Sequence, residues 1–178
     1  PREIAHIDSG FVCFGGADKY NLSNDVTTSL LQIPEIKIVH VVLGAANNRR
    51  DLIELSRKEP RLKVYKNLGE NDMALLMQNC NFAIVPSSTI LYELCAINMV
   101  ILSGYFIDNQ KHIYEGFLEK NAIFGLGDLT ACSVSKFKNT IVAIIKKPEV
   151  YQEMLLVQRQ LFDSNIRSRY QKIINDLC

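Results

Sequence analysis

Short apolar runs and helix-length amphipathic segments alternate through the first two-thirds of the chain. The runs at 11–14, 36–43, 62–65, 82–85 and 100–102, with a weaker one at 122–124, are mostly apolar throughout rather than at every second position. That pattern predicts strands buried on both faces of a parallel sheet, because a half-exposed strand would alternate. Between them, 22–31, 50–58, 72–80, 89–96 and 111–120 read as helices. Asn71 and Ser88 stand where helices want a capping side chain. From Ser133 onward the pattern turns helical. "SVSKFKNTIVAIIKK" is followed by Pro148, which suits the first turn of a new helix, and "EVYQEMLLVQRQLF" and "SRYQKIINDLC" continue the tail.

The rhythm predicts an α/β fold: a Rossmann-like, doubly wound parallel sheet of about six strands with a helical tail over 133–178. A single domain of 178 residues, 48% of them apolar, has enough material for one sizeable core. The opening "PREIAHIDSG" has no initiator Met and none of the parts of a signal peptide. It predicts the downstream domain of a longer polypeptide, with 1–9 the remnant of an interdomain linker and an N-terminal catalytic domain absent. The formal net charge of +1 argues against a nucleic-acid footprint or a polybasic membrane contact, and no apolar run approaches the ~20 residues of a membrane span. The five cysteines are odd in number and none pair at C-x-x-C spacing. They read as reduced, mostly structural thiols of a cytosolic protein. The three histidines are scattered, and no cluster has metal-ligand spacing, so neither metal nor cofactor is predicted.

In an open parallel sheet, ligands bind beyond the carboxyl ends of the strands. Four loops there are rich in small or polar residues: "GGADKYN", "GAANNRR", "PSST" and "GYFIDNQKH". Gly15 and Gly16 can bring backbone N–H groups close to an anion, but on this motif alone a bare Gly-Gly reads first as a tight βα turn. Ser87, Ser88 and Thr89 open a helix, where free N–H groups favour phosphate, and Glu93 follows Thr89 by one turn on the same face. A carboxylate there suits a ribose; it also suits a solvated helix surface. Asn109 and Gln110 can read sugar hydroxyls or act as caps. His112 is a candidate base or a bystander, His40 in "IVHVVL" is a core histidine, and His6 carries little weight.

Taken together, "FVCFGGADKYNLS", "VVLGAANN", "NDMALLMQNCNFAIVPSSTILYELCAINMVILSGYFIDNQ" and "EKNAIFGLGDL" resemble the C-terminal half of the nucleotide-sugar hydrolase of pseudaminic acid biosynthesis. That enzyme adds water at the anomeric carbon of UDP-2,4-diacetamido-2,4,6-trideoxy-β-L-altropyranose and releases UDP. More distantly the pattern is similar to the lipid-linked N-acetylglucosaminyltransferase of peptidoglycan synthesis, and both families have the two-domain GT-B fold. The resemblance covers roughly residues 10–130 and is most specific over 71–110. It implies a domain that binds UDP or a UDP-sugar for surface-polysaccharide biosynthesis. Gly15 and Gly16 would border the diphosphate, Ser87, Ser88 and Thr89 would offer it backbone N–H groups, and Glu93 would hold the ribose. Backbone around Asn67 and Leu68 would meet the uracil, with Asn109 and Gln110 on the sugar side. The family's catalytic histidine belongs to the N-terminal domain, which implies no catalytic residue in this chain. "PSSTILYEL" also departs from the glycine-rich version common in the family. Two alternatives stand beside the hydrolase: the donor-binding half of a GT-B glycosyltransferase, and a non-catalytic nucleotide-binding or interaction module.

Overall fold

The computed structural model describes residues 2–47, 49–163 and 165–177. Six strands, β1 (Ser9–Cys13), β2 (Ile38–Leu43), β3 (Leu62–Lys66), β4 (Phe82–Pro86), β5 (Val100–Tyr105) and β6 (Phe124–Asp128), form one sheet in the order β3-β2-β1-β4-β5-β6. Every pairing is parallel. The chain therefore starts at the centre, winds outward to β3, returns beside β1 as β4, and winds the other way. The reversal leaves a topological switch point between the carboxyl ends of β1 and β4, where such sheets open a crevice.

The strands are apolar throughout because both faces are covered. Phe11, Val42, Ala83, Val85 and Ile101 enter one core cluster, and their neighbours Val12, Val41, Ile84 and Leu102 enter the other. Each successive side chain points to the opposite face. One face is packed by α1 (Leu22–Leu31), α2 (Arg50–Ser56), α6 (Val134–Ile145) and α7 (Pro148–Leu161), the other by α3 (Glu70–Asn79), α4 (Ile90–Ala96) and α5 (Lys111–Glu119). A further helix, α8 (Ile166–Leu177), ends the chain. Pro148 occupies the first turn of α7, and Ser133 caps α6 by accepting the Lys136 N–H at 3.2 Å.

Three details differ from the sequence pattern. The weak strand predicted at 122–124 runs from Phe124 to Asp128 instead. Ala122 and Ile123 are buried in the loop before it, and its own Gly125, Gly127 and Asp128 carry little strand propensity. Asn71 is not a cap: it lies inside α3, whose N-cap is Gly69 in extended conformation. Ser88 likewise stands one residue before the α4 N-cap, Thr89, and no side chain caps that end. Of the cysteines, Cys13, Cys80, Cys95 and Cys132 are free thiols, and Cys178 lies outside the described residues. Burial pushes the Cys80 and Cys95 thiols up to about 11 and about 12, which keeps them protonated and unreactive.

Residues 2–8 form no regular element but are tied to the domain. Ile4 and Ile7 are buried in the first cluster, and Tyr151 and Gln152 of α7 donate hydrogen bonds to the Ala5 and Ile4 carbonyls.

Candidate functional site

The carboxyl edge of the sheet is built from four βα loops. The one after β1 turns through Gly15, whose φ of +75° lies in the left-handed region that glycine tolerates. The loop after β2 fits directly beneath it: a Cβ on Gly44 would come within 2.6 Å of both the Gly15 carbonyl oxygen and the Gly16 Cα. Open space lies where Cβ atoms on Gly15 and Gly16 would point. The Gly15 N–H is directed at the Cys13 sulfur.

Asp18 then does the work that a bound anion would do at the start of α1. Its Oδ1 accepts the Leu22 N–H at 2.9 Å and its Oδ2 the Ser23 N–H at 3.0 Å. The side chain is fully enclosed, and Arg49 from the loop after β2 donates to the Asp18 carbonyl at 3.0 Å with its Nε 4.0 Å from Oδ2. The α1 N-terminus thus already holds a carboxylate of this chain, and a phosphate has no place there. Two neighbouring atoms, Asn21 Oδ1 and Ser23 Oγ, are enclosed without a protein partner.

After β4 the three small residues separate in role. The ladder continues one residue past the strand: the Ser87 N–H donates to the Gly104 carbonyl at 2.8 Å. Ser87 Oγ lies 2.9 Å from Ser103 Oγ, which itself donates to the Val85 carbonyl. The predicted anion-facing N–H of Ser87 is therefore turned into the sheet, and its fully buried side chain joins β4 to β5. Ser88 is half-buried and Thr89 exposed at the turn into α4. Glu93, one turn later, is exposed.

After β5, Gln110 is buried, and its Oε1 accepts the Phe106 N–H at 3.0 Å, so its amide oxygen serves the loop. Asn109 beside it is exposed in a short 3-10 turn spanning Asp108–Gln110. After β3, Asn67 is exposed with a φ of +56°, and Leu68 is half-buried against the second core cluster. His112 is exposed in the first turn of α5, lining a cavity of about 610 Å³ between α4, α5 and the end of α7 with Tyr92, Phe117 and Phe162. His40 is buried on β2 with its Nδ1 3.0 Å from the Tyr65 hydroxyl, the core position its surroundings predict. Among the described residues no group of three His, Cys, Asp or Glu side chains could hold a metal ion. No helix among them is long and apolar enough to cross a membrane.

The structure brings the 15–16, 88–89 and 109 positions to one edge, on strands β1, β4 and β5 that are neighbours in the sheet. Asn67 and Leu68 sit after β3, at the far side of that edge. Sequence reasoning passed over Asp18, Arg49, Tyr20 and Phe106. Asp18 had a signal, a carboxylate three residues ahead of the αL residue that opens α1; the two rings had none, because they meet only through the fold.

No family model matches the chain. Among curated proteins, it is 29% identical over 119 residues to the spore coat polysaccharide biosynthesis protein SpsG of Bacillus subtilis, a match covering 65% of this chain and 34% of that protein. It is 27% identical over 113 residues to the uncharacterized protein MJ1062 of Methanocaldococcus jannaschii, covering 61% and 23% respectively. The matched region is thus about a quarter to a third of those relatives. Among solved structures, MurG of Acinetobacter baumannii superposes with a TM-score of 0.74 over 98% of this chain and 51% of its own, at 13% identity. The rhamnosyltransferase SpnG complexed with thymidine diphosphate gives 0.63, 89%, 42% and 11% for the same quantities. The C-terminal CMP-Kdo binding domain of WaaA from Acinetobacter baumannii gives 0.56, 88%, 90% and 10%. At these identities the likeness is one of fold: the chain has the Rossmann-like architecture of one half of a GT-B glycosyltransferase.

Proposed function

We propose that the chain is the nucleotide-sugar-binding half of an enzyme of surface-polysaccharide biosynthesis, with UDP or a UDP-sugar held across the carboxyl edge of β1, β4 and β5. The observation that carries this reading is the switch point between β1 and β4, flanked by the open Gly15–Gly16 turn and by Ser88 and Thr89. The diphosphate lies against the backbone at Ser88 and Thr89 and beside Gly16, because Asp18 fills the start of α1. Glu93 takes the ribose hydroxyls, backbone near Asn67 and Leu68 meets the base, and Asn109 faces the sugar. Support for the ligand class comes from solved neighbours whose own descriptions name thymidine diphosphate and CMP-Kdo.

The reaction we assign is hydrolysis of a UDP-sugar, as the resemblance over 71–110 implies. Oriented amides at the Ser88–Thr89 turn stabilise the departing diphosphate, and an upstream domain of the same polypeptide aims the water. A second reading, the donor half of a GT-B glycosyltransferase, is favoured by the likeness to MurG. Calorimetric titration of UDP tests the common core of both. The wild-type chain should bind UDP, and Glu93→Ala should weaken it by about tenfold, the loss of one charge-assisted hydrogen-bond set. Equal affinity for the two proteins refutes the ribose assignment, and no UDP binding at millimolar concentration refutes the function. Extended to the length of its relatives, the protein should release UDP from a UDP-sugar with no acceptor present; strict dependence on an acceptor selects the transferase.

A further inference from the structure

Tyr20 stands on the loop after β1, and Phe106 on the loop after β5. β4 lies between those two strands in the sheet. Yet the two rings meet, with centroids 6.0 Å apart and planes tilted by 57°. The contact therefore crosses over the carboxyl end of β4, the strand that delivers Ser88 and Thr89. Gly104 pairs with Pro86, and Phe106 and Ser88 each follow that last pair by two residues, in the loops that leave the same edge.

Core packing accounts for Phe106 but not for Tyr20. Tyr20 is 50% exposed and its hydroxyl bonds to no protein group among the described residues, whereas Phe106 is half-buried against the first core cluster. An aromatic–aromatic contact contributes only about 0.5–1.5 kcal/mol, a small return for leaving this much apolar surface wet. Both rings are nevertheless held firmly in place. The Asp18 carboxylate and its Arg49 partner lock the backbone on either side of Tyr20, and the Asn21 N–H returns to the Asp18 carbonyl at 3.1 Å. Gln110 Oε1 fixes the Phe106 N–H from the other loop. A half-exposed Tyr20 ring backed by a Phe106 ring that is itself anchored on the core is an arrangement suited to a binding platform.

We infer that Tyr20 and Phe106 form the sugar platform of the site, stacking on the C–H face of the pyranose of a nucleotide sugar. This rests on the nucleotide-sugar reading above. A pyranose has one face made largely of C–H groups and a rim of hydroxyls. The two rings supply an apolar partner for the first; the free Tyr20 hydroxyl and the exposed Asn109 amide supply polar partners for the second. The pair covers the sugar end of the ligand rather than the base, because the loop after β3 assigned to the base lies four strand spacings from β5, about 19 Å. Asp18 and Gln110 then act as positioning residues: each holds a ring-bearing loop through its backbone.

The experiment titrates UDP and UDP-N-acetylglucosamine into the wild-type chain, Tyr20→Ala, Phe106→Ala and Tyr20→Phe. Each alanine variant should weaken UDP-N-acetylglucosamine by about three- to tenfold and leave UDP within twofold. Tyr20→Phe, which keeps the ring, should retain most of the sugar affinity and shows that a misfolded loop is not the cause. Equal weakening of both ligands overturns the inference, because the rings then serve the nucleotide or the loop, and unchanged binding of both overturns it as well. Failure of the wild-type chain to bind UDP at all sinks the nucleotide-sugar reading first and this platform with it; UDP binding with an indifferent Tyr20 sinks only the platform.

Discussion

His40 shows what a single residue's surroundings impose. It sits on β2 with its ring stacked on Tyr65 at a centroid distance of 5.8 Å, its Nδ1 3.0 Å from the tyrosine hydroxyl. Burial, and then the nearby Lys63 charge, hold its imidazole below the ordinary value of 6.5. The unfolded chain then binds the proton more readily than the folded one. Stability from this group is full above pH 6.5 and is lost as pH falls through the depressed native value. Thermal melts between pH 8 and pH 5 should therefore show a melting temperature that declines below pH 6.5, and His40→Gln should flatten the decline over that window. An identical slope in the variant would show that another group governs it. "IVHVVL" made this histidine legible as core, since its neighbours on both sides are apolar. Ser87 was not legible in the same way: the pattern marks the end of the apolar run but not that the β4–β5 ladder continues through its N–H.

At the scale of elements, the sequence pattern locates the first five strands and each α-helix and misplaces the sixth strand, because apolar runs and 3.6-residue periodicity are local properties and β6 lacks a strong apolar run. It fails where two elements meet. "LGAANN" announces a loop of small residues, yet nothing in it says that Gly44 presses on the backbone of Gly15 and Gly16, or that Arg49 reaches Asp18. The caps assigned to Asn71 and Ser88 fail for a related reason: residue type was right for the role, but α3 begins after Gly69 and α4 after Thr89. The Gly44 contact gives a direct test. Gly44→Ala puts a methyl group against two backbone atoms that cannot swing aside, so the loop after β1 must shift. The cost should be about 1–3 kcal/mol, a fall in melting temperature of roughly 2–12 °C for a domain of this size. UDP affinity should fall with it, since the displaced turn borders the proposed diphosphate position. A variant as stable as wild type would mean that the two loops are not packed this closely in solution.

Across the whole molecule, α7 connects parts of the chain that the sheet alone leaves apart. Gln158 is fully buried, and its Nε2 donates to the Met99 carbonyl at 3.0 Å and to the Ala122 carbonyl at 2.8 Å. Asn98, at the entrance to β5, donates to the Leu155 carbonyl at 2.8 Å and to Gln158 Oε1 at 3.3 Å. Arg159 accounts for the next position along: its Nε reaches Asn98 Oδ1 at 2.7 Å and its guanidinium the Arg2 carbonyl at 2.9 Å. One helical turn of a tail that reads from sequence as amphipathic and generic thus ties together residue 2, the β5 entrance and the loop before β6. This clamp holds the amino ends of the strands, opposite to the edge where the site is proposed, so its loss should affect stability and not ligand preference. Gln158→Leu fills the same space but leaves the Met99 and Ala122 carbonyls facing an apolar group, with the Asn98 amide short of one acceptor. Each unpaired buried group costs about 1–3 kcal/mol, so the variant should lose at least 2 kcal/mol in urea unfolding if nothing relaxes to repair the bonds. Where the variant remains folded, the ratio of UDP to UDP-N-acetylglucosamine affinity should match wild type. A changed ratio would mean that the tail and the carboxyl edge are coupled through the sheet, and an unchanged midpoint would mean that the Gln158 amide is dispensable to the clamp.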